Sequence, residues 1–103
     1  MDEIVSGIQW TNKAKITFNN LILYLQKEWT EKEVTQFINR TQQVLNTLKR
    51  YPEMCRPSQS RKNVRIAILD KHTQMIYHFK PRKTTIVILL FWNPKQNPDK
   101  FKY

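Results

Sequence analysis

The sequence predicts an α+β domain in which two helices, folded back on one another, cover one face of a small sheet made of an N-terminal strand and an antiparallel three-stranded β-meander. Three observations lead there. Apolar residues recur at intervals of three and four from Ala14 to Trp29 and again from Val34 to Leu48, the pattern of helices with one buried face. Three β-rich stretches separated by short polar turns follow, beginning at Val64, Met75 and Thr84. A residue or two at Thr30 is all that separates the helical stretches, so they must reverse as a hairpin. The 103 residues allow one domain, 1–103, with a core adequate without metal or disulfide, and its single cysteine, Cys55, excludes an internal bridge.

Ile4-Val-Ser-Gly-Ile-Gln-Trp10 is short and β-branched and reads as an edge strand, with Gly7, the only glycine, marking a bulge. Thr11 or Asn12 caps the first helix, whose buried face is Ala14, Phe18, Leu21, Ile22, Leu25 and Trp29. Thr30-Glu-Lys-Glu33 has the form of a capping box, in which the threonine bonds forward and the glutamate reaches back. It opens a second helix that buries Val34, Phe37, Ile38, Thr41, Val44, Leu45 and Leu48 and stops after Tyr51, because Pro52 cannot continue it. Residues 57–63 form a polar connector. Val64–Leu69 and Met75–Phe79 then make a hairpin around the turn Asp70-Lys-His-Thr73, and a basic turn, Lys80-Pro-Arg-Lys83, leads into Thr84–Trp92. That last strand is apolar on both faces, as a central strand is. Pro94 and Pro98 restrict 93–103 to an arm or irregular cap.

Net positive charge is concentrated in the second half. From Arg50 onward there are twelve lysines and arginines against three acids, so this half holds +9 of the formal +10. Such a field attracts polyanions, and the aromatics set among the bases, Tyr77, Phe79, Phe91, Trp92, Phe101 and Tyr103, add stacking surfaces suited to nucleic acid. The plainer reading is a solvated basic face. No signal peptide opens the chain, and the longest apolar run, Ile86–Trp92, is far short of the ~20 residues that span a bilayer, so a soluble cytoplasmic protein is expected. His72 and His78, with no carboxylate pair or cysteine beside them, give no metal site, and no phosphate loop or cofactor motif is present.

The order strand, helix, helix, meander, together with Arg56-Pro-Ser, Val64-Arg-Ile-Ala-Ile-Leu, Lys71-His72, Ile76-Tyr77 and the closing Ile88–Pro98 stretch, resembles the RelE/ParE superfamily of bacterial toxins. The most specific part is Phe91-Trp-Asn-Pro-Lys-Gln-Asn-Pro98, similar to a Phe-Trp-x-x-Arg/Lys-Gln-x-Pro box of plasmid-stabilisation proteins. The resemblance implies a small toxin of a type II toxin-antitoxin module. It would be restrained by a cognate antitoxin and would act either by cutting mRNA on the ribosome or by trapping DNA gyrase. The fold alone does not choose between them. A non-catalytic RNA-binding module, or an inactive toxin relative, is the alternative from another class.

Cleavage of RNA by its own 2′-hydroxyl requires a base, cations for the phosphorane and an acid for the leaving oxygen. Arg65, Lys71, His72 and Lys95 are the candidates for that chemistry. Arg65 is the strongest, because a guanidinium on an otherwise apolar strand must face solvent or a partner, and its fork fits phosphate. Imidazole suits proton transfer near neutrality, although a tight turn such as 70–73 carries polar residues for solvation alone. Tyr77 and His78 read as sheet residues. By resemblance, RelE toxins carry two lysines on the first meander strand where this chain has Arg65 and Ala67, and an arginine where it has Gln74. Arg61, Lys62, Lys80, Arg82 and Lys83 are candidate phosphate contacts, and Trp92 either stacks a base or packs the sheet end.

Overall fold

Two threonines open the two helices. In the computed structural model, which describes residues 4–94, Thr11 Oγ1 accepts from Ala14 N at 3.0 Å and caps α1 (Asn12–Glu28). Thr30 Oγ1 accepts from Glu33 N at 3.2 Å while Glu33 Oε1 accepts from Thr30 N at 3.0 Å, completing the capping box of α2 (Glu31–Arg50). Both devices satisfy amide donors that a helix start leaves without partners. Tyr51 forms the C-cap and Pro52 follows, as the sequence requires.

The strands are β1 (Gly7–Trp10), β2 (Arg56–Pro57), β3 (Val64–Ile68), β4 (Gln74–Lys80) and β5 (Thr85–Trp92), in the order β1-β5-β4-β3-β2. The meander β3-β4-β5 is antiparallel, and β5 is interior, as its apolar faces indicated. One feature that periodicity leaves open is settled by the fold, and two others differ from the expectation. β1 runs parallel to β5, with Gly7 opposite Thr85 and Trp10 opposite Ile88. A parallel edge has the same side-chain alternation as an antiparallel one, so periodicity does not distinguish them. The two-residue β2, too short for a pattern, adds a fifth strand to the connector. Gly7 makes no bulge and does not adopt positive φ.

The irregularity lies instead in the β4–β5 ladder, where Ile76 faces Leu90 and Tyr77 faces Ile88, leaving Leu89 as the extra residue. Thr11 Oγ1 reaches its carbonyl at 2.9 Å, and Thr17 Oγ1 accepts from Phe91 N at 3.0 Å. Hydroxyls of α1 thus replace bonds the bulge removes, and they fix the helix on the sheet.

The main core lies between helices and sheet: Leu21 and Leu25 of α1 and Phe37, Leu45 and Leu48 of α2 meet Met75, Tyr77, Ile86, Ile88 and Phe91. Trp10, Phe18 and Phe91 pack ring on ring, with centroids 4.8 to 5.5 Å apart. Ile38, expected in the core, is 41% exposed. The opposite sheet face is also apolar, carrying Val64, Ile66, Ile76 and Leu90 with Leu89 and Trp92 beside them. Among the described residues no helix is long and apolar enough to cross a membrane.

Candidate functional site

Alternation along β3 decides where Arg65 goes. Ala67 faces the helices, so Arg65, two residues away, faces the same side. There it passes beyond the end of α2 and meets the connector: Nη1 donates to the carbonyls of Glu53 at 3.0 Å and Cys55 at 2.7 Å, and Nη2 pairs with the Glu53 carboxylate at 3.5 Å. The partner of this guanidinium is its own chain. Opposite it in register is Tyr77, fully buried, whose hydroxyl donates to the Pro52 carbonyl at 2.8 Å. Burial first, and then the nearby Cys55 thiol, hold the Tyr77 phenol well above its ordinary value, so it remains protonated and cannot serve as a base. Burial likewise pushes the Cys55 thiol up, against the opposing effects of the Tyr77 hydroxyl and the Arg65 charge, which leaves it a poor nucleophile. Arg65, Tyr77 and Cys55 therefore fasten residues 52–55 to the sheet. A polar ring on a buried strand was the available signal for this node, but its partner is remote in sequence.

Lys71 and His72 lie at the far end of the hairpin. Asp70 Oδ1 accepts from the amides of His72 and Thr73, both at 2.8 Å, an Asx turn that holds both side chains at the surface. Arg65 stands four residues back from Leu69, about 13 Å of extended strand, so it does not join them. His72 borders a small cleft of about 170 Å³ with Tyr24, Glu28, Trp29, Asp70 and Asn93. Lys95, the fourth candidate, and the rest of the Lys95–Tyr103 arm lie outside the described residues. Among the described residues no group of three or more His, Cys, Asp and Glu side chains could hold a metal ion.

The candidate phosphate contacts do gather, at the other end of the sheet. Lys80, Arg82 and Lys83 lie on the β4–β5 turn, and Arg61 and Lys62 on the loop before β3, which Phe79 N ties to Asn63 O at 3.0 Å. The end of α2 joins them: Val5 N donates to Lys49 O at 2.9 Å while the next amide, Ser6 N, donates to Thr84 O at 2.8 Å. This brings in Lys49 and Arg50, which are not among the phosphate contacts expected from the sequence. Trp92, at the opposite end of β5 about 23 Å away, is apart from this cluster and packs half-buried against the buried apolar cluster on the sheet face away from the helices. Of the aromatics set among the bases, Tyr77, Phe79 and Phe91 are buried in the main core and offer no stacking surface.

A groove of about 350 Å³ opens between the helices near their turn, with Ile22, Trp29, Val34 and Ile38 as its apolar lining and Gln26 and Glu31 at its rim.

The profile of the family described as ParE toxin of type II toxin-antitoxin system, parDE, matches residues 8–98. No curated protein sequence gives a match. Among solved structures, the chain is similar to one described as the chromosomal ParDE TA system from P. aeruginosa, at a TM-score of 0.69 and 16% identity, covering 87% of this chain and 97% of that one. It is also similar to the RelBE2 toxin-antitoxin complex from Mycobacterium tuberculosis, at a TM-score of 0.56 and 15% identity over 84% of this chain and 95% of that one. At those identities the likeness is one of fold.

Proposed function

The chain belongs to the ParE toxin family and is the toxin component of a type II toxin-antitoxin module, and we propose from that premise that it acts without catalysis, by holding DNA gyrase through protein contact. The observation that supports this over RNA cleavage is the position of Arg65. The strongest of the cleavage candidates has its guanidinium on the carbonyls of Glu53 and Cys55, about 13 Å of strand from the turn that holds Lys71 and His72. A phosphorane needs its cations, base and acid within hydrogen-bonding reach of one phosphate. The sheet face away from the helices is apolar at its centre, where Ile66, Ile76 and Leu90 are buried, and it gathers no cations on one phosphate.

A cognate antitoxin restrains the toxin, in keeping with the two structural neighbours, both described as toxin-antitoxin systems. The interhelical groove, with its four apolar side chains, suits an amphipathic segment of that partner or of gyrase. Primer extension on mRNA from expressing cells, run beside a gyrase supercoiling assay with purified toxin, tests the mechanism. Intact transcripts with inhibited supercoiling are expected. Cut transcripts with unimpaired gyrase would replace this reading with ribosome-dependent cleavage.

A further inference from the structure

The described residues contain two non-glycine positions with positive φ, Asn63 at 62° and Thr84 at 47°. Both sit at the basic end of the sheet, each directly after a lysine, Lys62 and Lys83. A β-branched residue in the left-handed region is costly and persists only where its surroundings enforce it. Around Thr84 the enforcement is visible: the Lys83 carbonyl accepts from the hydroxyls of Thr84 at 2.7 Å and Thr85 at 2.9 Å, and Ser6 Oγ lies 2.9 Å from Thr84 Oγ1. The other loop is held by Ser58 Oγ, which accepts from the amides of Ser60 and Arg61 at 3.2 Å each. Two short loops, both with a residue in the left-handed region and both braced by hydroxyls, thus hold the backbone that carries these cations.

We propose that this end of the molecule, Arg50 at the end of α2 and Lys80 at the end of β4 with Lys62, Arg82 and Lys83 on the braced loops, is a preorganised grip for the phosphate backbone of duplex DNA. Charge distribution favours a polyanion there: Glu28, Glu31, Glu33 and Asp70 lie at the opposite end, and Glu53, the one described acid near the basic end, is turned to Arg65. The choice of duplex follows from the aromatics. Single strands are held by successive rings that stack bases, whereas duplex DNA is held through its phosphates. Here Tyr77 and Phe79 face the core, and the 49%-exposed Tyr51 beside Arg50 is a single ring, which cannot stack successive bases. Cations on a braced backbone suit a stiff ligand with regularly spaced charge, because little loop freedom is lost on binding. The inference rests on the gyrase reading only in that gyrase is an enzyme that holds duplex DNA.

The test is fluorescence anisotropy of the full-length chain with a labelled random-sequence duplex of about 30 base pairs, without gyrase, across a salt series. Each phosphate contact contributes about −0.9 to the slope of log K against log salt, so five cations give an expected slope of about −4.5. Arg82→Ala with Lys83→Ala should reduce the magnitude of the slope by about two and weaken binding about tenfold or more; Lys62→Ala, on the other loop, should reduce it by about one. Lys27→Ala with Lys32→Ala removes the same charge from the far end and should leave the slope nearly unchanged. Equal effects from the two double variants, a wild-type slope shallower than about −2, or displacement by polyglutamate or single-stranded RNA as readily as by duplex would each overturn the grip. Supercoiling inhibition measured on the same preparations keeps the two ideas apart. Duplex binding without inhibition would overturn the gyrase reading alone, and inhibition without duplex binding the grip alone.

Discussion

The guanidinium of Arg65 rests on the carbonyl of Cys55 at 2.7 Å, which makes this residue a brace between β3 and the segment leaving α2. Its side chain is 20% exposed, so its bonds to the two carbonyls are partly shielded, while its ion pair with the 68%-exposed Glu53 adds little. Arg65→Ala should cost about 1.5–3 kcal/mol of stability through the lost charged hydrogen bonds, and toxicity should fall in proportion to the folded fraction. Urea denaturation beside a growth assay checks this. An Arg65→Ala protein of unchanged stability that has lost its toxicity would restore the residue to a direct role.

Tyr77 and Cys55 make stability sensitive to alkali. Both groups are held protonated more firmly in the fold than in the open chain, where the thiol and phenol titrate near their ordinary values of 9.0 and 10.0. Their contribution is therefore fully present below about pH 9 and is lost as pH rises above it, because the unfolded chain releases protons that the fold retains. Tyr77→Phe should lower stability at pH 7 by about 1–3 kcal/mol, since the buried Pro52 carbonyl loses its donor. The same variant should show a shallower decline above pH 10 than the wild type, measured by thermal unfolding across the range pH 7 to about 11.

Lys71→Ala and His72→Ala, on an exposed turn, should leave toxicity and folding unaltered, whereas Ile38→Asp in the interhelical groove should abolish supercoiling inhibition. Because Ile38 is already 41% exposed, that substitution should lower the unfolding free energy by no more than about 1 kcal/mol. Toxicity that survives Ile38→Asp but disappears with His72→Ala would contradict the contact mechanism.

Thr30→Ala removes one half of the capping box and exposes the α2 start, at an expected cost of about 1 kcal/mol. Thr11→Ala should cost more. Its hydroxyl not only caps α1 but also bonds the carbonyls of Ile88 and Leu89 at the bulge, so helix and sheet lose their common fixture. Guanidinium titrations of the two variants should separate them, with Thr11→Ala the less stable.

The sequence by itself determined what depends on neighbours along the chain. The threonine caps, the three-four spacing, the Pro52 stop, the hairpin turn at 70–73 and the two-faced apolar β5 are all local signals, and each element formed where its signal lay. The closing Phe-Trp box gave the superfamily for the same reason. Tertiary structure alone decided the rest, because it depended on partners remote in sequence. Whether β1 ran parallel or antiparallel to β5 was set by the helical crossover, and the bulge at Leu89 by the Thr11 hydroxyl, 78 residues away. Arg65 was legible as a cation on a strand, but its target was not, since the carbonyls it meets lie ten and twelve residues back, beyond the end of α2. The basic end shows the same limit: charge density was visible along the chain, but its extension to Lys49 and Arg50 required the backbone bonds from Val5 and Ser6 that bring α2 beside the β4–β5 turn.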